Sequence, residues 1–293
     1  GTADAVHQNA DLLQRHDPDH VVVLAGDHVY KMDYQALLAE HVDCGAAASI
    51  ACIEVPLAEA PALGIVDADA GGWVTRFEEK PPQPRPAPGR PGMALASMGI
   101  YVFDAALLYT VLSRDAASPK SQHDFGRDVI PALLAGGAGV RAHDFRASCV
   151  NMARGLPYWR DVGTVDAFWE ANLELTQVVP DLNLYDREWP IWTFQEQLPP
   201  AQFVFDDEGR RGIAPDSLVA SGCIVSGTEV RRSLLSTNVR VDDAALIEDS
   251  VLLPNAQVGR GAVLRRAVVD KYCRIPPRLE VGVDLDLDRR RFH

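Results

Sequence analysis

From about Leu218 to Val281, short apolar residues recur every six positions. Leu218, Ile224 and Val230 form one row, and Leu246, Leu252, Val258 and Leu264 form another. Val241, Ile247 and Leu253 run beside the second, while Val263, Val269, Ile275 and Val281 continue after it. A six-residue period matches neither the 3.6-residue turn of an α-helix nor the two-residue alternation of a hairpin meander. It matches a parallel β-helix of hexapeptide repeats, in which each face turns a corner and stacks its apolar residue on the coil below. The rows change register between Ser233 and Asn238, where a loop is expected.

Residues 1 to 180 have a different texture, alternating strand-like and helix-like stretches. Val21 to Ala25 is uniformly apolar and ends in Gly26-Asp27, as expected of a strand buried on both faces. Tyr34 to Cys44 has helical spacing, and Ala47 to Val55 is strand-like again. This alternation predicts an α/β sheet with helices packed on it. Pro81 to Pro91 holds too many prolines for helix or ladder and reads as an exposed loop before the strand at Ser97 to Phe103. Asp166 to Leu175 reads as the closing helix. The expected organisation is a catalytic-type domain over 1–180, a connection over 181–212 rich in Pro, Trp and Asp, and a hexapeptide-repeat domain over 213–293.

A net charge of −13 argues against a non-specific nucleic-acid binder, which needs a basic surface. Cys44, Cys52, Cys149, Cys223 and Cys273 are odd in number, widely spaced and without a C-x-x-C pair, as expected of reduced thiols in a cytoplasmic protein. No run approaches the roughly 18 apolar residues of a membrane span. The opening GTADAVHQNADLLQRH lacks a cationic stretch leading into an apolar one, so it reads as an amphipathic helix rather than a signal peptide.

Three charged residues stand out. Asp27 directly follows an apolar strand, where α/β sheets bind ligands, although an aspartate there also serves as a helix cap or turn residue. Asp161, in YWRDVGT, could cap the next helix or converge with Asp27 on a Mg²⁺ ion, which takes few carboxylates and leaves its other positions to water and phosphate. Lys80, after Glu78 and Glu79, is either a surface partner of those carboxylates or a point charge offered to a phosphate.

Ordered strings along the chain resemble the bacterial glucose-1-phosphate adenylyltransferases, also called ADP-glucose pyrophosphorylases. They are GTADAV at Gly1, LAGDH at Leu24, EKP at Glu79, ASMGIYVFD at Ala96, HDFG at His123, PYWRDVGT at Pro157, YDR-x-WPI at Tyr185 and SG-x-x-x-SG at Ser221. The resemblance implies a Rossmann-like nucleotidyltransferase sheet followed by a left-handed parallel β-helix. It further implies that Asp27 and Asp161 hold Mg²⁺ and that Lys80 binds the phosphate of glucose 1-phosphate. Glu79, Ser97 and the backbone at Gly64 would contact the sugar part of ADP-glucose, with Trp159 as a positioning residue. The implied reaction joins ATP and glucose 1-phosphate into ADP-glucose and diphosphate, in glycogen synthesis. Such enzymes are allosteric homotetramers regulated by metabolites. Arg15 and Lys271 fall at effector-phosphate positions, and Asn255 replaces an acidic residue there.

The family opens its sheet with a Gly-rich loop, G-G-x-G-x-R-L, that captures the triphosphate. Only Gly71-Gly72 and Gly136-Gly137 are paired glycines, and neither precedes Arg-Leu. The 293 residues alone are therefore expected to lack their first sheet strands and most of their activity. Alternatives are a related enzyme using another nucleoside triphosphate and a non-catalytic fragment or regulatory-type subunit. A hexapeptide acyltransferase, which needs a histidine on its coils, is set aside because the histidines lie at 7, 16, 20, 28, 41, 123, 143 and 293.

Overall fold

Local signals in the first half resolve in chain order into α1 (Thr2–His7), α2 (Ala10–Arg15), β1 (His20–Val23), β2 (His28–Tyr30), α3 (Tyr34–Cys44), β3 (Ala48–Pro56), β4 (Gly64–Ala68), β5 (Val74–Glu79), β6 (Met93–Asp104), α4 (Ala105–Ala116), α5 (Ile130–Ala135) and β7 (Val140–Asp144). The structure, a computed structural model, describes residues 1–150, 152–153, 155–207 and 209–292. His293 thus lies outside the described residues. The chain divides into two compact units, Gly1–Gly26 with Lys31–Val150, and Asp27–Tyr30 with Asn151–His293.

In the first unit the sheet order is β5-β4-β6-β3-β7, with β1 also paired to β6. The long strand β6 is its spine, and Met98, Ile100, Val102 and Phe103 on it are fully buried. Phe103 stacks on Phe125 at 5.6 Å, and Leu108, Leu112 and Ile130 complete the core. Helix α3 begins where the Asp33 carboxylate accepts the Gln35 N–H at 2.9 Å, and it stops at Gly45, whose φ of 64° suits a residue without Cβ.

Two expectations need correction in this unit. Strand β1 is not buried on both faces: Val21 is buried, but Val22 and Leu24 are exposed. Among the described residues β1 pairs only with β6, so its other edge is open. The opening segment is two short helices rather than one. The Asn9 side-chain amide donates to the Ala5 carbonyl at 2.9 Å, a local bond that competes with continued helix at that point.

In the second unit, β2 pairs with β10 (Trp159–Asp161), which comes after a small hairpin of β8 (Met152–Ala153) and β9 (Leu156–Pro157). Helix α6 (Val165–Glu174) is capped by Thr164, whose hydroxyl accepts the Ala167 N–H at 3.2 Å. Beyond it the connection exposes Trp192 and Phe194 almost completely.

The solenoid in the rest of this unit confirms the parallel β-helix and explains its shifting rows. Val225, Val230, Leu235, Val241, Ile247, Leu252, Val258 and Leu264 are the buried inward residues, spaced by five or six. From Val230 onward one side of each coil is a residue shorter than the other two, so stacked partners such as Ser233 and Ser250 are 17 apart, whereas Val225 and Val241, stacked across an additional five-residue side, are 16 apart. The register change near Ser233 therefore comes from a five-residue side, not from a loop. Parallel pairing continues this offset, with Leu234 opposite Val251 and Val251 opposite Val268.

The corners repeat with the coils. Arg232, Asp249 and Arg266 occupy one corner with positive φ, and Asn238, Asn255 and Tyr272 another. Beside the first runs a hydroxyl ladder: Ser217 Oγ accepts the Ser233 N–H, Ser233 Oγ the Ser250 N–H, and Ser250 Oγ the Ala267 N–H, at 3.1, 3.0 and 3.2 Å. Helix α6 is fastened to this corner by the Trp169 indole N–H, which donates to the Asp249 carbonyl at 2.8 Å, while Arg266 lies over the same ring.

Truncating the fully buried Ile247 to Ala should cost about 2–5 kcal/mol through lost burial and an unfilled cavity. Ser250→Ala leaves one amide without its acceptor and should cost less, about 1–3 kcal/mol. Urea unfolding of the two variants should give that order.

Candidate functional site

Two strands only three residues long bring the predicted carboxylates together. In the antiparallel register of β2 and β10, His28 faces Asp161 and Tyr30 faces Trp159. The pairing is extended by the Val162 N–H, which donates to the Asp27 carbonyl at 2.9 Å. Gly163 then lies between the side chains. A Cβ there would be 3.1 Å from Asp161 Oδ1 and 3.2 Å from Asp27 Oδ2, so both carboxylates border the space that this glycine leaves open. The Gly163 N–H donates to Asp161 Oδ1 at 2.9 Å and fixes that carboxylate. Two exposed hard-oxygen donors on one space, with room for other ligands, fit a cation that keeps much of its shell as water or phosphate.

The strand–helix connection is braced behind this pair. Arg160 donates through Nε and a terminal nitrogen to Glu174 Oε1 at 3.2 and 3.1 Å, and its guanidinium lies 4.8 Å from the Tyr158 ring. Trp159 is buried and meets His28 edge-on, with ring centroids 5.1 Å apart. Trp159 Nε1 and His28 Nδ1 are both buried without a hydrogen-bond partner among the described residues. Buried polar atoms without partners are uncommon and mark places where a ligand can complete the bonding. His28 was not singled out from sequence. Its position directly after Asp27 was the available signal.

The remaining substrate candidates lie in the first unit. Gly64 and Glu79 are opposite each other in the β4–β5 register. A Cβ on Gly64 would come within 2.7 Å of the Phe77 ring and 2.9 Å of Glu79 Oε2, and Gly126 is filled by the same carboxylate. Both glycines therefore make room for Glu79. Ser97 is buried where β6 bulges between the partners of Ile50 and Cys52, and its hydroxyl accepts the Gly99 N–H at 3.2 Å. Lys80 directly follows β5 with φ 47°, a left-handed conformation that non-glycine residues seldom hold, and its side chain is exposed. Glu78 is engaged by Arg76.

Two distant strings of the sequence also meet in this unit. The Thr2 hydroxyl donates to Asp124 at 3.0 Å and accepts the Phe125 N–H at 3.1 Å, and a Cβ on Gly1 would collide with the carbonyls of Gln122 and His123. The regulatory candidates are dispersed. Arg15 is exposed at the end of α2 in the first unit. In the second, Asn255 accepts the Asn238 side-chain amide at 2.7 Å, and exposed Lys271 follows Asp270 on the next coil.

Burial pushes the Glu79 carboxyl above the ordinary carboxylate range, and nearby Asp124 adds to it, with Lys80 and Arg127 opposing. A raised folded-state value means the folded protein binds the proton more tightly than the unfolded chain. Glu79 therefore contributes stability below its unfolded value that is lost as pH rises through the folded one. Glu79→Gln should accordingly compare better with the parent at pH 7 than at pH 4. Melting temperatures of both proteins across that range check this, and a difference independent of pH would contradict it.

Comparison with known proteins covers the chain end to end. The nucleotidyl transferase family profile matches residues 1–178, and a GlmU-like C-terminal hexapeptide profile matches 199–293. The glucose-1-phosphate adenylyltransferase of Nitrosospira multiformis is 60% identical over 293 residues, all of this chain and 69% of that protein. Those of Nitrosomonas europaea and Methylobacillus flagellatus are 58% and 60% identical over the whole chain, which spans 68% of each. With profiles matched over both halves and relatives matched along the whole chain, the chain belongs to the nucleotidyl transferase family, among its glucose-1-phosphate adenylyltransferases.

Proposed function

We propose that this chain contributes to the transfer of an adenylyl group from ATP to glucose 1-phosphate, giving ADP-glucose and diphosphate in glycogen synthesis. Whole-chain similarity to enzymes of that name supports the reading. The observation that carries the chemistry is the convergence of Asp27 and Asp161 on the space beside Gly163. The attacking group is a phosphate oxygen of the sugar phosphate, already ionised at neutral pH, so no strong base or covalent nucleophile is needed. Its bond to the α-phosphorus forms as the bond to the departing diphosphate breaks. The demand on the protein is to place two anions in line and offset their charge.

The assignment of roles follows from this demand. Asp27 and Asp161 would hold Mg²⁺, which when bound neutralises charge on the attacked phosphate and the leaving diphosphate. Lys80 supplies a point charge to the phosphate of glucose 1-phosphate. Glu79, Ser97 and the Gly64 backbone hold the sugar, and Trp159, braced against His28, positions the carboxylate strand. The catalytic part is assigned to 1–180, the connection to 181–212 and the β-helix to 213–293. By family resemblance the assembly is a homotetramer with metabolite effectors, to which Arg15, Asn255 and Lys271 are assigned. A cytoplasmic setting is favoured by five free cysteines, and no helix among the described residues is long and apolar enough to cross a membrane.

The tests use protein that includes the family's Gly-rich loop, with diphosphate release as readout. Release should require both ATP and glucose 1-phosphate, and UTP or dTTP supporting turnover at ten times the ATP efficiency would overturn the nucleotide assignment. Asp27→Asn should lower kcat by about a hundredfold or more while leaving the melting temperature near that of the parent. Lys80→Gln should raise the KM for glucose 1-phosphate by orders of magnitude and leave that for ATP nearly unchanged. An unaltered sugar-phosphate KM would return Lys80 to an ordinary surface charge.

A further inference from the structure

At one end of the first unit's sheet, three side chains from three elements converge without a role in adenylyl transfer. His20 opens β1, His41 lies near the end of α3, and Asp104 closes β6 directly opposite His20 in the strand register. His41 Nε2 is 3.4 Å and His20 Nε2 is 3.5 Å from the same oxygen, Asp104 Oδ1. The two rings meet edge-on with centroids 5.2 Å apart, and the three donor atoms all lie within 4.8 Å of one another.

Several details distinguish this cluster from an ordinary ion pair. Charge-assisted hydrogen bonds between nitrogen and carboxylate run at about 2.7–2.9 Å, well short of both distances. A tetrahedral zinc site with bonds of about 2.0–2.1 Å separates its ligand atoms by roughly 3.3–3.4 Å, close to both. Asp104 stands at the N-cap of α4, yet its carboxylate caps no helix N–H and turns to the histidines instead. His41 is almost wholly buried, and its Nδ1 lies 2.8 Å from Ser49 Oγ. With Nδ1–H donating to that hydroxyl, the Nε2 lone pair is directed at the cluster. This is the outer-shell hydrogen bond by which metal-binding histidines are oriented. His20 and Asp104 are partly exposed, which leaves an open side for ion entry and for a water as fourth ligand.

We propose that His20, His41 and Asp104 form a zinc-binding site that clips the open-edged strand β1 to β6 and α3, separate from the Asp27–Asp161 pair. Two imidazoles and one carboxylate suit Zn²⁺ and its spectroscopic substitute Co²⁺, whereas Mg²⁺ prefers oxygen ligands and stays at carboxylate sites. The site is independent of the adenylyl-transfer assignment.

The experiment is a metal titration of the full 293-residue chain, free of added histidine tags and in excess Mg²⁺ to fill oxygen-only sites. One equivalent of Co²⁺ should develop the intense visible bands of four-coordinate cobalt, Zn²⁺ should displace them, and Zn²⁺ should raise the melting temperature. Ser49→Ala, which keeps all three ligands, should weaken Zn²⁺ binding about tenfold. His20→Ala and Asp104→Asn should each weaken it further and abolish the cobalt bands. Either of these two suffices if the other folds poorly, since they lie on different strands. Absence of a saturable one-equivalent signal would overturn the proposal. So would folded His20→Ala and Asp104→Asn proteins that bind like the parent, because the metal would then be held by other residues.

Discussion

The pairing of β2 with β10 is the contact on which the candidate chemistry depends. It is three residues long, yet it joins positions more than a hundred residues apart and determines that Asp27 and Asp161 border the same space. Such a short ladder would be marginal alone, since two isolated strands are barely stable in water. Its support comes from the neighbouring helix and coils: Arg160 forks onto Glu174, α6 begins at the Thr164 cap, and Trp169 ties that helix to a solenoid corner. Within the second unit, then, the coils are a footing for the carboxylates as well as a repeat in their own right.

Much of this was legible in the sequence because it is local or periodic. Helix α3 follows from its apolar spacing, and the solenoid from its apolar rows. The coil length was harder to read, because five-residue sides interrupt the six-residue rhythm. Val22 and Leu24 look like core by composition, but burial depends on the neighbours that pair beside a strand, which composition does not contain.

For the site, residue types and neighbouring glycines suggested Asp27 and Asp161 but favoured a cap or turn role for Asp27 and left a cap open for Asp161, and family strings were needed to choose the metal-binding reading. The geometry then supplied a reason for Gly163 that no local rule provides. His28 and the His20–His41–Asp104 cluster were missed for a related cause. Their meaning arises only when elements distant in the chain are folded together, and single histidines on strands and helices carry no spacing signal.

The unequal sides of the solenoid coil also govern how such a chain can change in length. Removing one residue from a side shifts the corners above it unless the shortened side keeps them stacked, because residues such as Asn255 and Arg266 occupy left-handed backbone at those corners. Extra residues at a corner have no such effect. The Asp206–Asp207 and Arg210–Arg211 hairpin is one example: it leaves the stack between Val204 and Gly212, while the strand before it still pairs in parallel with Ile224–Ser226. Insertions should therefore be tolerated best at corners or as whole coils, and a side can lose a residue only where the corners beyond it still stack, as from Val225 to Val230, one residue shorter than Val241 to Ile247 above it.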